Sequence, residues 1–310
     1  MDTEALRLSR NLKADGLAER LNWGAVELSV TDLDRAIQFW TGALGFVRRP
    51  DRGTGVALGT AERTLVILRP GASLPVLRGV TGMYHVAFGV PSQVEFSRLL
   101  SRFQRLRLPV SPVDHTMSKA IYLNDPDGHG IEIAFETPER FLRFDNSGGQ
   151  FAMIDSEGRM RSGRDPLDLQ AEFAAAKGTD ETASIAAGTI VAHVHFHVPE
   201  LEPALSWFEK LGFVRNLTLP SMGMADMGAG ASYTHRLAVN LWAGRGARRA
   251  PDHSARLLCY HLTTSDGMLF EEAGRHLQQD GRGNLTGVDP VGITMTLSLS
   301  AALRSEAACA

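Results

Sequence analysis

The sequence predicts an α+β chain built by duplication: two tandem modules, each a pair of βαβββ units. Three observations carry this. At 310 residues the chain is about twice the usual domain length. Its punctuation repeats, with Val30-Thr31-Asp32-Leu33, Phe39-Trp40 and Leu44-Gly45-Phe46 answered by Val198-Pro199-Glu200-Leu201, Trp207-Phe208 and Leu211-Gly212-Phe213. A further pair of turn signatures, Asp125-Pro126-Asp127-Gly128 and Asp289-Pro290-Val291-Gly292, stands at nearly the same offset, each ahead of a β-like run.

The elements follow in order. Residues 1–21 interleave charge with leucine at helical spacing and contain no apolar h-region, which predicts a surface helix and not a secretory signal. Trp23–Val30 reads as a strand, and Asp32–Leu44 as a helix closed by glycine. Short strands are expected around Thr54–Leu58 and Thr64–Leu68. The pattern restarts with a strand at Gly82–Val90, a helix at Ser92–Leu106, and strands at Lys119–Leu123 and Gly130–Phe135. Residues 22–140 thus form the first module and 188–302 the second, with 303–310 a tail. Residues 141–187, rich in Gly, Ser, Asp and Ala, read as a linker with one packing helix at Leu167–Ala176.

Composition narrows the function. With 44% apolar and 22% charged residues the chain can bury a core and stay in solution. A net charge of −3, from 32 basic and 35 acidic residues, gives no uniform positive field, so nucleic acid is not an expected partner. No window approaches the roughly 18 apolar residues of a membrane span. The two cysteines, Cys259 and Cys309, lie far apart, which argues against a disulfide framework and suits the cytoplasm. The glycine-rich stretch at 222–230 lacks the Lys-Ser/Thr of a phosphate loop, and His129 sits inside a turn where a structural role is the ordinary one.

The element order, together with the V-x-D-L helix entry, the L-G-F exit, Thr81-Gly82-Met83-Tyr84-His85-Val86-Ala87-Phe88 and Asp125-Pro126-Asp127-Gly128-His129-Gly130-Ile131-Glu132-Ile133, resembles the vicinal oxygen chelate superfamily of glyoxalase I, bleomycin resistance proteins and extradiol dioxygenases. The two-module length, Asp114-His115 ahead of Ala120-Ile121-Tyr122-Leu123, and Pro166-Leu167-Asp168 are similar to its catechol 2,3-dioxygenase branch. The resemblance implies curled, cup-like mixed sheets with a divalent metal in one cup, held from rigid strands that leave positions open for two adjacent substrate oxygens.

Carried over by motif position, the resemblance implies Glu27, His85 and Glu132 as metal ligands in the first module, and strand alternation places Glu27 and Glu132 opposite their apolar neighbours. It implies His115 as a catalytic proton-relay or supporting residue. In the second module the ligand positions fall on His195, Cys259 and Thr296, so the terminal carboxylate is missing there. His261 shares a strand face with Cys259 and is a substitute ligand. The position of the relay histidine carries Arg236, which is no base but can bind a carboxylate or phenolate, with His235 beside it. His195, His235, Arg236 and His261 are therefore expected on the substrate side.

Two carboxylates with one imidazole make a hard donor set, for which Fe2+ or Mn2+ comes first, with Mg2+, Ca2+, Zn2+ or Ni2+ behind. Three readings stay open. The first module is a metal enzyme that cleaves or isomerises a small aromatic or other vicinal-oxygen substrate, with dioxygen as co-substrate if it is an oxygenase. Alternatively, both cups are metal-free receptacles for aromatic or antibiotic-like ligands. In the third, the second module keeps a site built on His195 and His261. A homodimer is compatible with each.

Overall fold

The computed structural model describes residues 18–50, 53–145, 151–231 and 233–300. The tail and nearly all of the helix expected over 1–21 lie outside them. Four βαβββ units are laid out in sequence. The first contains β1 (Asn22–Val30), α1 (Leu33–Gly42), β2 (Val47–Arg48), β3 (Val56–Gly59) and β4 (Thr64–Pro70); the second contains β5 (Gly82–Gly89), α2 (Gln93–Arg105), β6 (Ser111–Asp114), β7 (Ser118–Asn124) and β8 (Gly130–Glu136). An intervening segment holds β9 (Phe141–Asp145), β10 (Ala152–Asp155), β11 (Met160–Arg161), β12 (Asp165–Pro166) and α3 (Leu169–Ala175). The third unit is β13 (Ile190–His197), α4 (Leu201–Lys210), β14 (Val214–Leu219), β15 (Met224–Gly228) and β16 (Leu237–Asn240). The fourth is β17 (Leu257–Thr264), α5 (Gly267–Gly274), β18 (Gln278–Gln279), β19 (Leu285–Val288) and β20 (Thr294–Leu299).

Local chemistry sets these boundaries. The Asp32 carboxylate accepts from Arg35 N at 3.0 Å and the Ser92 hydroxyl from Glu95 N at 3.2 Å, capping α1 and α2. In the repeated turns Asp125 Oδ1 accepts from the backbone of Asp127 and His129, and Asp289 Oδ1 from that of Val291 and Ile293. Gly128 and Gly292 supply the left-handed step, with φ of 91° and 81°. His129 is buried and its Nε2–H donates to the Ser29 carbonyl at 2.9 Å, the structural role expected of it.

The units pair crosswise. One eight-stranded sheet runs β18-β19-β20-β17-β1-β4-β3-β2 and joins the first unit to the fourth; a nine-stranded sheet runs β12-β6-β7-β8-β5-β13-β16-β15-β14 and joins the second to the third. In both sheets the seam is an antiparallel pair of first strands, β1 with β17 and β5 with β13. The main apolar core draws on both sheets, with Trp40 of α1 edge-on to Phe88 of β5 and the Tyr260 ring of β17 tilted against Phe196 of β13.

The segment at 141–187 is more than a linker. Its β9, β10 and β11 form a small sheet, and β12 pairs with β6 at the margin of the large one. Phe141 and Phe144 pack with Leu217 and Leu219 of β14. Further along, Glu172 of α3 is fully buried and binds Lys119 Nζ at 2.6 Å, the Ser97 hydroxyl at 2.5 Å and the Gln93 amide at 2.8 Å, locking the segment onto α2.

Candidate metal centre

Ala87 on β5 pairs with Glu132 on the parallel neighbour β8 and with His193 on the antiparallel neighbour β13. His85 lies two residues back on β5 and so on the same face. Because Ala87 is small, the three larger side chains close over it. The His85 and His193 Nε2 atoms lie 3.0 and 3.3 Å from Glu132 Oε2 and 3.2 Å from each other. All three residues are buried.

Ligand atoms about 2.1 Å from a common centre, at angles near those of a tetrahedral or octahedral site, are separated by roughly 3.0–3.4 Å. The donor triangle has these edges. The protonation states also suit an ion. Burial works against a charge on Glu132, but the His193 and His85 imidazoles beside it hold its carboxyl well below the usual carboxylate range. Burial pushes the His193 imidazole down to about 3 against the pull of Glu132. At neutral pH the set offers a carboxylate and an unprotonated imidazole lone pair, as a metal requires.

This corrects the expected ligand set. His85 and Glu132 come together, but Glu27 sits in the other sheet, because β1 pairs with β17 and not with β5. Its carboxylate binds His261 and Arg69 instead. The third corner is His193, a residue outside the expected ligand and substrate-side sets. The alternation of His193, His195 and His197 marks a histidine-bearing face. Which of them meets Glu132 depends on irregular pairing at Ala192 and after His195. His195 Nε2 is occupied, accepting from the Asn240 amide at 2.8 Å, while Asn240 Oδ1 takes the His197 Nδ1–H at 2.6 Å.

Two corners of the triangle, His85 and Glu132, line a cavity of about 890 Å³ whose walls also include His195, His235, His115, Tyr122 and Trp242. Phe144, Phe151 and Met153 of the intervening segment, with Leu217, Leu219 and Met224, form its apolar side. Such a space is within the range that takes a small organic ligand.

His235 donates Nδ1–H to Asp226 at 3.0 Å, and its ring lies 4.6 Å from that of His193. Burial pulls this imidazole down, yet Asp226 outweighs it, so His235 titrates above its ordinary value. His115 donates Nδ1–H to the Gly163 carbonyl at 2.5 Å. Burial lowers its pKa, so the neutral ring presents its Nε2 lone pair to the Tyr122 hydroxyl at 2.9 Å. Tyr122 in turn faces Glu132 across the β7–β8 pair.

Two expected substrate-side residues lie elsewhere. Arg236 is buried against the Glu19 and Glu136 carboxylates, with Tyr233 stacked on its guanidinium, and it does not line the cavity. Its charge is already matched by two carboxylates. His261 belongs to the other sheet, with Glu27 and Cys259. Among the described residues, that cluster and the His85–Glu132–His193 triangle are the two groups placed to hold a metal ion.

A family model described as the Glyoxalase/Bleomycin resistance protein/Dioxygenase superfamily matches residues 22–133. The chain is 30% identical over 245 residues to a catechol-2,3-dioxygenase of Bacillus subtilis, an alignment covering 76% of this chain and 80% of the relative. Among solved structures, a putative dioxygenase from Bacillus subtilis superposes with a TM-score of 0.57 at 10% identity, covering 92% of this chain and 87% of the other. A glyoxalase I mutant from Zea mays superposes with a TM-score of 0.55 at 14% identity, covering 93% of this chain and 97% of the other. At such identities both structures speak to the fold.

Proposed function

Because this chain belongs to the glyoxalase/bleomycin resistance protein/dioxygenase superfamily, we propose that it is a metal-dependent ring-cleaving dioxygenase of the extradiol, catechol 2,3-dioxygenase type, taking dioxygen and a small catechol-like substrate. The observation that carries this reading is the donor set. Two imidazoles and one carboxylate converge beside a cavity that His85 and Glu132 line, and that set, with positions left open, suits non-haem Fe2+. The harder set of two carboxylates and one imidazole is not the one assembled. Fe2+ is therefore the first expectation and Mn2+ the second.

When bound, the ion supplies a common attachment for the two adjacent substrate oxygens and the electron-transfer capacity that dioxygen chemistry needs. The chain does the rest. His85, Glu132 and His193 would hold the ion from three neighbouring strands, whose backbone pairing keeps the donors fixed. The apolar side of the cavity keeps water from the aromatic ring. His235, oriented by Asp226, holds a proton on the imidazole close to His193 and exchanges it with the substrate hydroxyl at Nε2. His115 and Tyr122 form a second polar contact in the cavity lining, and His195, fixed by Asn240, offers its ring as a packing surface.

The test is oxygen uptake by protein loaded with Fe2+ under anaerobic conditions and mixed with a panel of substituted catechols. Uptake stoichiometric with ring-fission product, abolished by His193→Ala, is the expected result. A flat oxygen trace with iron bound overturns the dioxygenase assignment, and tight catechol binding by metal-free protein would favour a receptacle.

A further inference from the structure

The other sheet holds a second set of converging donors that the chemistry above does not use. Glu27 on β1 and Cys259 and His261 on β17 place one ligand atom each within 4.8 Å of one another. His261 Nε2 lies 3.0 Å from Glu27 Oε1 and 3.9 Å from Cys259 Sγ. On its far side His261 Nδ1 is 2.6 Å from the Thr296 hydroxyl. That hydroxyl can accept from Nδ1–H, which leaves the Nε2 lone pair aimed at the meeting point of thiol and carboxylate. The other Glu27 oxygen is held by Arg69 Nε at 2.5 Å, so Oε1 alone turns toward the cluster.

Strand register explains how this arrangement arises and why it is no copy of the first. His261 pairs with Thr296 on β20 as Ala87 pairs with Glu132 on β8. An imidazole thus fills the place that Ala87 leaves open in the other sheet, and a hydroxyl stands where the terminal carboxylate stood. Across the seam is Gly24, where an added Cβ would come within 3.1 Å of His261 Cβ and 3.3 Å of its carbonyl oxygen, so glycine makes room for β17 at His261. The donors therefore come only from the two seam strands, and one of them is sulfur.

We propose that Glu27, Cys259 and His261 form a second divalent-metal site, of zinc type, that staples the first βαβββ unit to the fourth. Thiolate, imidazole and carboxylate together are a borderline-soft set suited to Zn2+, and three protein ligands leave one position for water. The His261 side chain is about one third exposed, so an ion has a way in. As the zinc–sulfur bond forms, the Cys259 thiol proton leaves to solvent. Thiolate and Glu27 carboxylate then offset the ion's two charges, and Arg69 keeps Glu27 in place. The Thr296–His261 contact is the outer hydrogen bond that orients a ligating histidine.

The test is metal titration of chelator-treated, full-length protein with Zn2+ and with Co2+, on the wild type, Cys259→Ser, His261→Ala and Glu132→Gln. Two equivalents are expected for wild type. One is expected for each variant, and Co2+-loaded Glu132→Gln keeps a thiolate-to-cobalt charge-transfer band that Cys259→Ser lacks. Zn2+ is also expected to slow alkylation of Cys259 at least tenfold in wild type and Glu132→Gln, read by site-resolved mass spectrometry, which needs no variant at Cys259 or His261. Unchanged stoichiometry in Cys259→Ser, or Cys259 alkylation indifferent to zinc, overturns the site. Neither readout depends on oxygen uptake, so failure of the dioxygenase reading would leave this result standing on its own.

Discussion

Replacing Asp289 by asparagine is expected to stabilise the protein at pH 8 and to change little at pH 4. Asp289 is buried, with Oδ1 accepting from Val291 N at 3.0 Å and Ile293 N at 2.8 Å. Its Oδ2 lies beside the Tyr260 hydroxyl with no well-formed hydrogen bond. Burial outweighs the two backbone donors and pushes the carboxyl from 3.8 up to about 7. Below 3.8 the group is protonated in both folded and unfolded chains and contributes nothing. From there to about 7 the unfolded chain ionises first, so stability falls as pH rises, and above 7 the loss is complete. At about 1.4 kcal/mol per pH unit the loss reaches about 4 kcal/mol. Asparagine accepts the same two backbone bonds with no charge to bury, so it recovers that loss. A gain of about 4 kcal/mol, set against an unfolding entropy of about 2.1 cal/mol/K per residue, corresponds to a rise of roughly 6 °C in the unfolding midpoint at pH 8. Thermal melts of both proteins from pH 4 to 8 measure it. A difference between them that does not vary with pH would refute the reasoning.

Three further outcomes follow from the same geometry. His193→Ala is expected to lose the first-site metal while His195→Ala retains it, read by elemental analysis, since the His195 Nε2 is already taken by Asn240. Gly130→Ala would set a Cβ 2.1 Å from the Tyr84 carbonyl oxygen, forcing β8 away from β5 where Glu132 and His85 meet. Metal affinity at the first site is expected to fall at least tenfold in titration, with no ligand altered. Glu172→Ala strands the Lys119 ammonium and is expected to destabilise by about 3 kcal/mol or more, measured by denaturant unfolding.

The four units were legible because their punctuation is local: a capping residue, a closing glycine and an Asp-led turn each act within a few residues. His85 and Glu132 were legible for the same reason, standing at fixed places in strands whose alternation shows which residues share a face. What alternation does not carry is the identity of the neighbouring strand. β1 and β5 open matching units, yet each faces a partner from the distant half of the chain, so Glu27 and His85 end in different sheets and the first half alone supplies only part of each candidate donor cluster. His193 was obscured by an irregularity one residue long, enough to decide which imidazole of an alternating run turns toward Glu132. The strands at 141–166 are two to five residues long, too short for periodicity to register.

Cutting the backbone between α3 and β13 would sort the molecule into fragments that are each missing their partner's seam. His85 and Glu132 would travel with one and His193 with the other; Glu27 would part from Cys259 and His261. Neither piece owns a whole donor cluster, so metal binding recovered on mixing them, or on expressing them from separate messages, would report reunion of the halves by complementation.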